Sequence, residues 1–380
     1  MKDAGATLER YLRLGWTPLV LSTLIVVTWA AVDAFGDVFY TNEAERLFLR
    51  LMIILALQMF SGNSGVLSFG HVAFMAMGAY TSALLTIPKE FQFNFNNPEM
   101  PHWLRSWIFA ELSPTQAVLA GAGFALVLAL LFGIPIVRLS GVAAGIGTLA
   151  ILVAMNVFIA QTTAVTRGTS TQIGVPKSTS LLSTMIWLVV IVAAAYAFKQ
   201  SRIGLRLRAA RENDRAARSV GVRIALERYI AFALSGFVCG IAGALYAHFF
   251  VTFAYLDFYF DLTFITIAML VVGGMASVTG AVVGCYFLTI VYVAFQRFEV
   301  NGIGGTLAPS GTADLVLALA LLVALILRPR GITGGKEIPW PTEWRRPRRP
   351  TLQRPALLVR LRGARAAGAP ETSADTTSSQ

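Results

Sequence analysis

The feature that most constrains this chain is a succession of apolar runs, each about the length of a membrane span. A helical span needs about 20 apolar residues, because the hydrocarbon layer is about 30 Å thick and a helix rises about 1.5 Å per residue. Trp16–Ala34, Ala117–Val137, Gly141–Ala164, Leu181–Phe198 and Tyr229–Phe250 approach or exceed that length almost without charge. Charged residues are only 13% of the 380, against about 25% in soluble domains. None of the runs alternates in the way a lipid-facing β-barrel strand must. The reading is an all-α integral membrane protein with about eight to ten spans, some of them short or broken in each half.

The formal net charge of +11 does not point to nucleic acid. The Lys and Arg residues gather in short segments beside apolar runs, as expected of loops on the cytoplasmic side. Arg10 and Arg13 precede the first run, and Asp33, Asp37, Glu43 and Glu45 follow it, which predicts a cytoplasmic N-terminus. Trp103 and Trp107 read as interfacial anchors on the opposite side. The start MKDAGATLERYLRLGW lacks the pattern of a cleavable signal. Cys239 and Cys285 lie inside apolar runs, so no disulfide framework or thiolate metal site is implied. The expected division is a cytoplasmic segment 1–15, a transmembrane domain 16–335, and a disordered basic tail 336–380, with both ends cytoplasmic.

Two apolar stretches are interrupted. Leu47–Phe60 runs into Ser61-Gly-Asn-Ser-Gly65 before Val66–Thr86 resumes, and Leu262–Gln296 carries Gly273, Gly274, Ser277 and Gly280 near its middle. Paired broken helices in two halves are the sequence pointer to a midplane pathway. Close helix packing through Gly141/Gly145, Gly236/Gly240 and Gly280/Gly284 is the alternative. His71 is the one ionisable residue well inside a predicted span. It reads either as a pathway residue or as a neutral imidazole that locks the Gly-rich turn. Gln58, Asn63, Ser68, Asn156 and Gln161 either line a polar path or satisfy backbone freed by the breaks.

No G-x-x-x-x-G-K-[ST] phosphate loop occurs, no H-E-x-x-H, and no paired Cys cluster. No catalytic constellation and no cofactor site is legible, and the chain is not expected to be an enzyme. Spans nearly free of ionisable residues argue against proton or ion coupling within this chain. The basic segment Lys199–Arg228 is the best handle on function. Asp214 and Arg218 are four apart, and Glu212 and Arg215 three apart, so a helix places acid beside base. Gly221 ends the helix as a C-cap. Such a loop either docks a cytoplasmic partner or is simply solvated.

Four blocks then resemble a known family, the permease subunits of branched-chain amino acid ABC importers of the LivM type. They are SGNSGVLSFGHVAFMAMGAYTSALL, then RLSGVAAGIGTLAILVAMNVFI with TRGTSTQIGVP, then RENDRAARSVGVRIALERYIAFALSGFVCGIAGALYAHF, and last VVGGMASVTGAVVGCYF with LILRPRGITG. Their order and spacing cover most of Leu47–Gly335. The chain departs from the pattern at Val142-Ala143, where relatives carry an acidic–aromatic pair, and near Val153, where they carry an acid. The resemblance implies a homologous second permease subunit, two cytoplasmic ATPase subunits that supply the ATP hydrolysis, an external solute-binding protein, and a bacterial inner membrane. It assigns Glu212, Asn213, Asp214, Arg215, Ala216 and Gly221 to ATPase coupling. It assigns Ser68, Gly70, His71, Asn156, Gly273, Gly274 and Gly280 to the translocation pathway. The implied solute is a branched-chain or other hydrophobic amino acid, with urea and short amides as the alternative. A self-sufficient secondary transporter or channel is the competing reading from another class.

Overall fold

The computed structural model describes residues 2–98, 100–102, 105, 112–301, 311–328 and 330–339. Trp103, Trp107, loop residues 302–310 and the tail from 340 onward lie outside them. Among the described residues, twelve helices of six residues or more follow in order. They are α1 (Lys2–Phe35), α2 (Val38–Leu57), α3 (His71–Thr86), α4 (Pro114–Ile136), α5 (Gly141–Gln161) and α6 (Leu181–Gln200), then α7 (Arg202–Glu212), α8 (Asp214–Ser219), α9 (Ile224–Phe250), α10 (Phe260–Gly273), α11 (Val278–Asn301) and α12 (Thr312–Leu327). The described residues contain no β-strand, only an isolated antiparallel bridge between Gln172 and Phe253. The all-α membrane reading holds.

Seven described segments are long and apolar enough to cross a membrane: Gly15–Phe35, α4, α5, α6, α9, Tyr255–Gly273 and Val278–Arg297. The expectation of eight to ten also counts three further helices that are shorter or more charged than these. α2 is 20 residues long but carries Glu43, Glu45, Arg46 and Arg50, while α3 and α12 are 16 residues each. The first helix runs from Lys2 through Phe35, and its span-length apolar part, Gly15–Phe35, matches the expected Trp16–Ala34 within a residue at each end.

The core centres on α9, which packs along α3 and α4. Glycines permit this approach. A Cβ on Gly78 would stand 2.4 Å from the Gly240 carbonyl oxygen, one on Gly121 2.6 Å from that of Gly78, and one on Gly243 1.9 Å from that of Met75. Backbone-to-backbone contact of this kind is how helices associate where lipid removes the hydrophobic drive between them. Leu47 through Leu57 of α2 are buried, apart from the half-buried Arg50. The outward faces instead expose Leu119, Val127 and Leu131 on α4 and Ile146, Val157 and Phe158 on α5, as helices surrounded by hydrocarbon do.

Candidate functional site

The first break is a π turn, Gln58–Gly62, that carries α2 into a non-helical stretch ending at Gly70. π turns within helices concentrate at functional positions. Gly65 takes φ +73°, a value that favours glycine. The freed backbone is partly satisfied by side chains. Ser68 N donates to Ser61 Oγ (3.2 Å) and Phe69 N to Thr148 Oγ1 (3.0 Å). Asn63 Nδ2 donates back to the Met59 carbonyl at 2.9 Å. Three amide atoms find no partner: Gln58 Nε2 and Oε1, and Asn63 Oδ1, are buried without a hydrogen bond.

His71 opens α3 and is tied at both ring nitrogens, Nδ1 to Ser68 Oγ (2.7 Å) and Nε2 to Ser235 Oγ (2.8 Å). Ser235 Oγ gives its single proton to the Phe232 carbonyl at 2.8 Å. It therefore accepts from Nε2–H, and Nδ1 accepts from Ser68 Oγ–H. The network assigns a neutral imidazole. Phe74 and Phe232 meet the ring edge to face. Sequence reasoning missed Ser235 and Thr148, because each stands far along the chain inside an ordinary apolar run.

The second break lies between α10 and α11. Gly273 and Gly280 face each other so closely that a Cβ on Gly273 would stand 1.9 Å from the Gly280 oxygen. Gly274 holds φ +114°. The segment after α12 docks on this break. Ile332 N donates to the Val272 carbonyl (2.8 Å), Thr333 N to the Gly273 carbonyl (3.1 Å), and Ser277 and Thr333 share a hydroxyl contact at 3.1 Å. Glu337 caps α11, accepting from Val278 N (2.8 Å), Thr279 N (3.0 Å) and Thr279 Oγ1 (2.6 Å), and it pairs with Lys199. Burial alone would raise the Glu337 carboxyl. The Lys199 charge and hydrogen bond, together with the bonds from Thr279, outweigh burial and hold it below the usual carboxylate range. Ordered structure thus continues through Ile338, past the boundary drawn from the sequence at 335/336.

The basic loop folds as α7 and α8, joined by Asn213 alone. Asn213 leaves the helix (φ −153°, ψ 102°), and its Oδ1 accepts from Ala216 N at 3.0 Å. That break corrects one expectation: Glu212 and Arg215 sit on different helices and form no ion pair, whereas Asp214 and Arg218 pair within α8 at 3.0 Å. α8 ends in a Schellman motif. Val222 N donates to the Ala217 carbonyl (3.1 Å) and Gly221 N to that of Arg218 (3.0 Å), with Gly221 at φ +84°. Ala210, Ala217, Ile224 and Val222 form a small apolar core beneath the loop. Glu212, Asn213, Asp214, Arg215, Ala216 and Gly221 are all exposed, and Val220 beside them is 79% exposed.

Polar contacts run from this loop to both breaks. Arg211 crosses Gly65, and its Nη1 donates to the Gly62 carbonyl of the π turn at 2.7 Å. Lys199, where the loop begins, donates to the Ala276 carbonyl at 2.8 Å. Arg206 pairs with buried Glu227 at 2.8 Å, which holds α7 to α9. The structure therefore gathers Ser68, Gly70 and His71 at one break and Gly273, Gly274 and Gly280 at the other. Asn156 joins neither. Its Nδ2 donates to the Tyr255 carbonyl at 3.0 Å.

The model of a family described as branched-chain amino acid transport system / permease component matches residues 39–326. The chain belongs to this family. It is 23% identical over 348 residues to the high-affinity branched-chain amino acid transport system permease protein LivM of Salmonella typhimurium, a match covering 83% of this chain and 74% of that one. A probable branched-chain amino acid transport permease protein, LivH, of Methanocaldococcus jannaschii is 27% identical over 160 residues, 42% of this chain and about half (49%) of that one. A nucleoside ABC transporter permease protein, NupC, of Lactococcus lactis is 40% identical over 60 residues, 16% of this chain and 19% of that one. No solved structure matches. This family member is a multi-pass membrane permease subunit of ABC-importer type, and the blocks read from the sequence fall almost entirely within the matched region.

Proposed function

We propose that this chain forms half of the translocation pathway of an ATP-driven importer and that α7–α8 is where ATPase motion enters it. A homologous second permease subunit completes the pathway. Two cytoplasmic ATPase subunits dock on the exposed face carrying Glu212, Asp214, Arg215 and Val220, and the ATP chemistry is theirs. A solute-binding protein on the other side of a bacterial inner membrane delivers a branched-chain or other hydrophobic amino acid. Both ends of the chain are cytoplasmic. The observation that carries this reading is the pair of contacts from the loop to both helix breaks, Arg211 to the Gly62 carbonyl and Lys199 to the Ala276 carbonyl. A push on the loop then moves both breaks together. Ser68, Gly70 and His71 on one side and Gly273, Gly274 and Gly280 on the other are the elements it shifts, and Asn156 marks the route beside α5.

The test is Gly221→Trp in the reconstituted complex. A Cβ at Gly221 meets nothing within 4 Å, so the change costs only the left-handed backbone strain of about 1–2 kcal/mol and leaves insertion intact. ATP hydrolysis should persist while solute uptake falls by at least about tenfold. Normal uptake by that variant rejects docking at α8. Gradient-driven uptake without ATP, by vesicles holding this chain alone, rejects the importer reading in favour of a secondary transporter.

A further inference from the structure

A second π turn, Gln92–Asn96, follows α3 at its other end. α3 is 16 residues long, so its two ends lie roughly 24 Å apart at about 1.5 Å per residue. The basic loop meets the break at the first of them, through Arg211. Both turns open on a glutamine and run out on an asparagine, Gln58 with Asn63 and Gln92 with Asn97. At the second turn the amides are wholly unspent. Gln92 and Asn97 are at most 1% exposed, and neither amide makes a hydrogen bond at its nitrogen or its oxygen. Gln172, in the stretch between α5 and α6, is equally buried, and its amide also has no partner. Its backbone is fixed, since Gln172 N donates to the Phe253 carbonyl (2.8 Å) and Phe253 N to the Gln172 carbonyl (3.2 Å). The two stretches meet beside these amides. A Cβ on Gly174 would stand 2.4 Å from Cε1 of Phe91, and Gly174 holds φ +80°. The Phe91 ring therefore sits where only glycine leaves room.

We propose that Phe91 on Gly174 is the latch of a gate at the end of the pathway away from the basic loop, and that Gln92, Asn97 and Gln172 exchange partners as it opens and closes. A buried polar atom left unpaired is costly, so a second arrangement that bonds these amides is favoured over one that keeps them all unspent. Each carboxamide carries donors and an acceptor. The three side chains therefore suit one another, and suit backbone freed when the two stretches shift. The π turn supplies the slack. It holds one residue more than an α turn, and rewinding it moves Phe91 relative to Asn97 by about 1.5 Å along the axis. The root of the gate stays fixed, because Gln172 is held to Phe253, whose ring packs on Tyr80 of α3 at 5.0 Å. The proposal rests on the importer reading and adds the residues that close the path on the side opposite the ATPases.

The test uses the assembled complex in vesicles and the double variant Phe91→Cys, Gly174→Cys. Removing the ring makes room for the new side chain at Gly174. Both positions are half-buried, so a short bifunctional thiosulfonate reaches them, whereas the native Cys239 and Cys285 are buried. Bridging the two cysteines should cut ATP-driven uptake at least about tenfold, as pinning a lid does, and dithiothreitol should restore it. Full uptake by the bridged complex overturns the gate. Gln92→Leu and Asn97→Leu test the amides, and they decide the matter if the cysteine variant is inactive before bridging. Each should lower uptake at least about threefold while the melting temperature stays level or rises, since neither side chain has a bond to lose. A lower melting temperature would mean that the amides are already bonded, and it overturns the partner exchange; unchanged uptake overturns it equally. Uptake by the wild-type complex is scored separately. If it is present and bridging is harmless, only the gate fails; if it is absent, the importer reading fails.

Discussion

The two helix breaks look alike as sequence, each a Gly- and Ser-rich gap in an apolar run, and they are built by opposite means. The break after α10 is closed. Glycines there meet backbone to backbone, a strap from Gly331 to Ile338 pairs with the open carbonyls, and Glu337 caps α11 while neutralising Lys199. The break after α2 is polar and incompletely satisfied. His71 is tied between Ser68 and Ser235, yet Gln58 and Asn63 keep buried amide atoms without partners. A buried polar group left unpaired costs about 1–3 kcal/mol. One gap is therefore a packed joint. The other holds polar capacity in reserve.

The largest effect that would break this contrast is expected at the packed joint. Gly273→Val places side-chain carbon where 1.9 Å separates a Cβ from the Gly280 oxygen. This exceeds ordinary overpacking, which costs about 1–3 kcal/mol, and size-exclusion profiles should show no monodisperse protein. Well-behaved Gly273→Val protein would mean that α10 and α11 are free to part there.

Next is Glu337→Gln, which strands the Lys199 charge, only 4% exposed at its side chain. Losing one partner of a buried pair costs about 3–5 kcal/mol. The low end is expected because Lys199 keeps the Ala276 carbonyl, and a lowered melting temperature in lipid or detergent reads it. The pH dependence has a definite sign. The folded carboxyl titrates below its ordinary value of 4.5, so its stabilisation is complete above that value and is lost as pH falls through the depressed one. Wild type should lose melting temperature in that acid window, and Glu337→Gln should lose less. Parallel acid profiles would remove Glu337 from the joint.

At the polar break the effects are smaller. His71→Leu leaves the Ser68 and Ser235 hydroxyls without the ring and should cost about 1–3 kcal/mol. Gln58→Leu should leave the melt unchanged or raise it, because its amide atoms have no bonds to lose and their unpaired burial is itself costly. Reduced uptake at unchanged stability would then assign the amide to transport. A destabilisation by Gln58→Leu as large as that of His71→Leu would show that the first break is as fully bonded as the second.

How much of this was legible beforehand follows from the range of each interaction. The spans, the all-α class and the two gaps could be read because apolar length and glycine spacing are local properties. So could the Gly221 cap and the Asp214–Arg218 pair, which lie within one turn. The Glu212–Arg215 pairing failed because Asn213, one residue along, prefers capping to continuing a helix. The exact number of spans was less legible, because α2 reads as apolar only from Leu47 on and buries Glu43 and Glu45 in its charged first half.

Sequence by itself determined that this chain lives in a membrane, that its helices break once in each half, and that a capped basic loop joins those halves. Tertiary structure alone decided what the breaks hold. His71 finds Ser235 164 positions away, and Lys199 finds Glu337 138 positions away. A buried polar or charged group must be satisfied by whatever the fold brings beside it, and nothing in its own neighbourhood of sequence records what that will be.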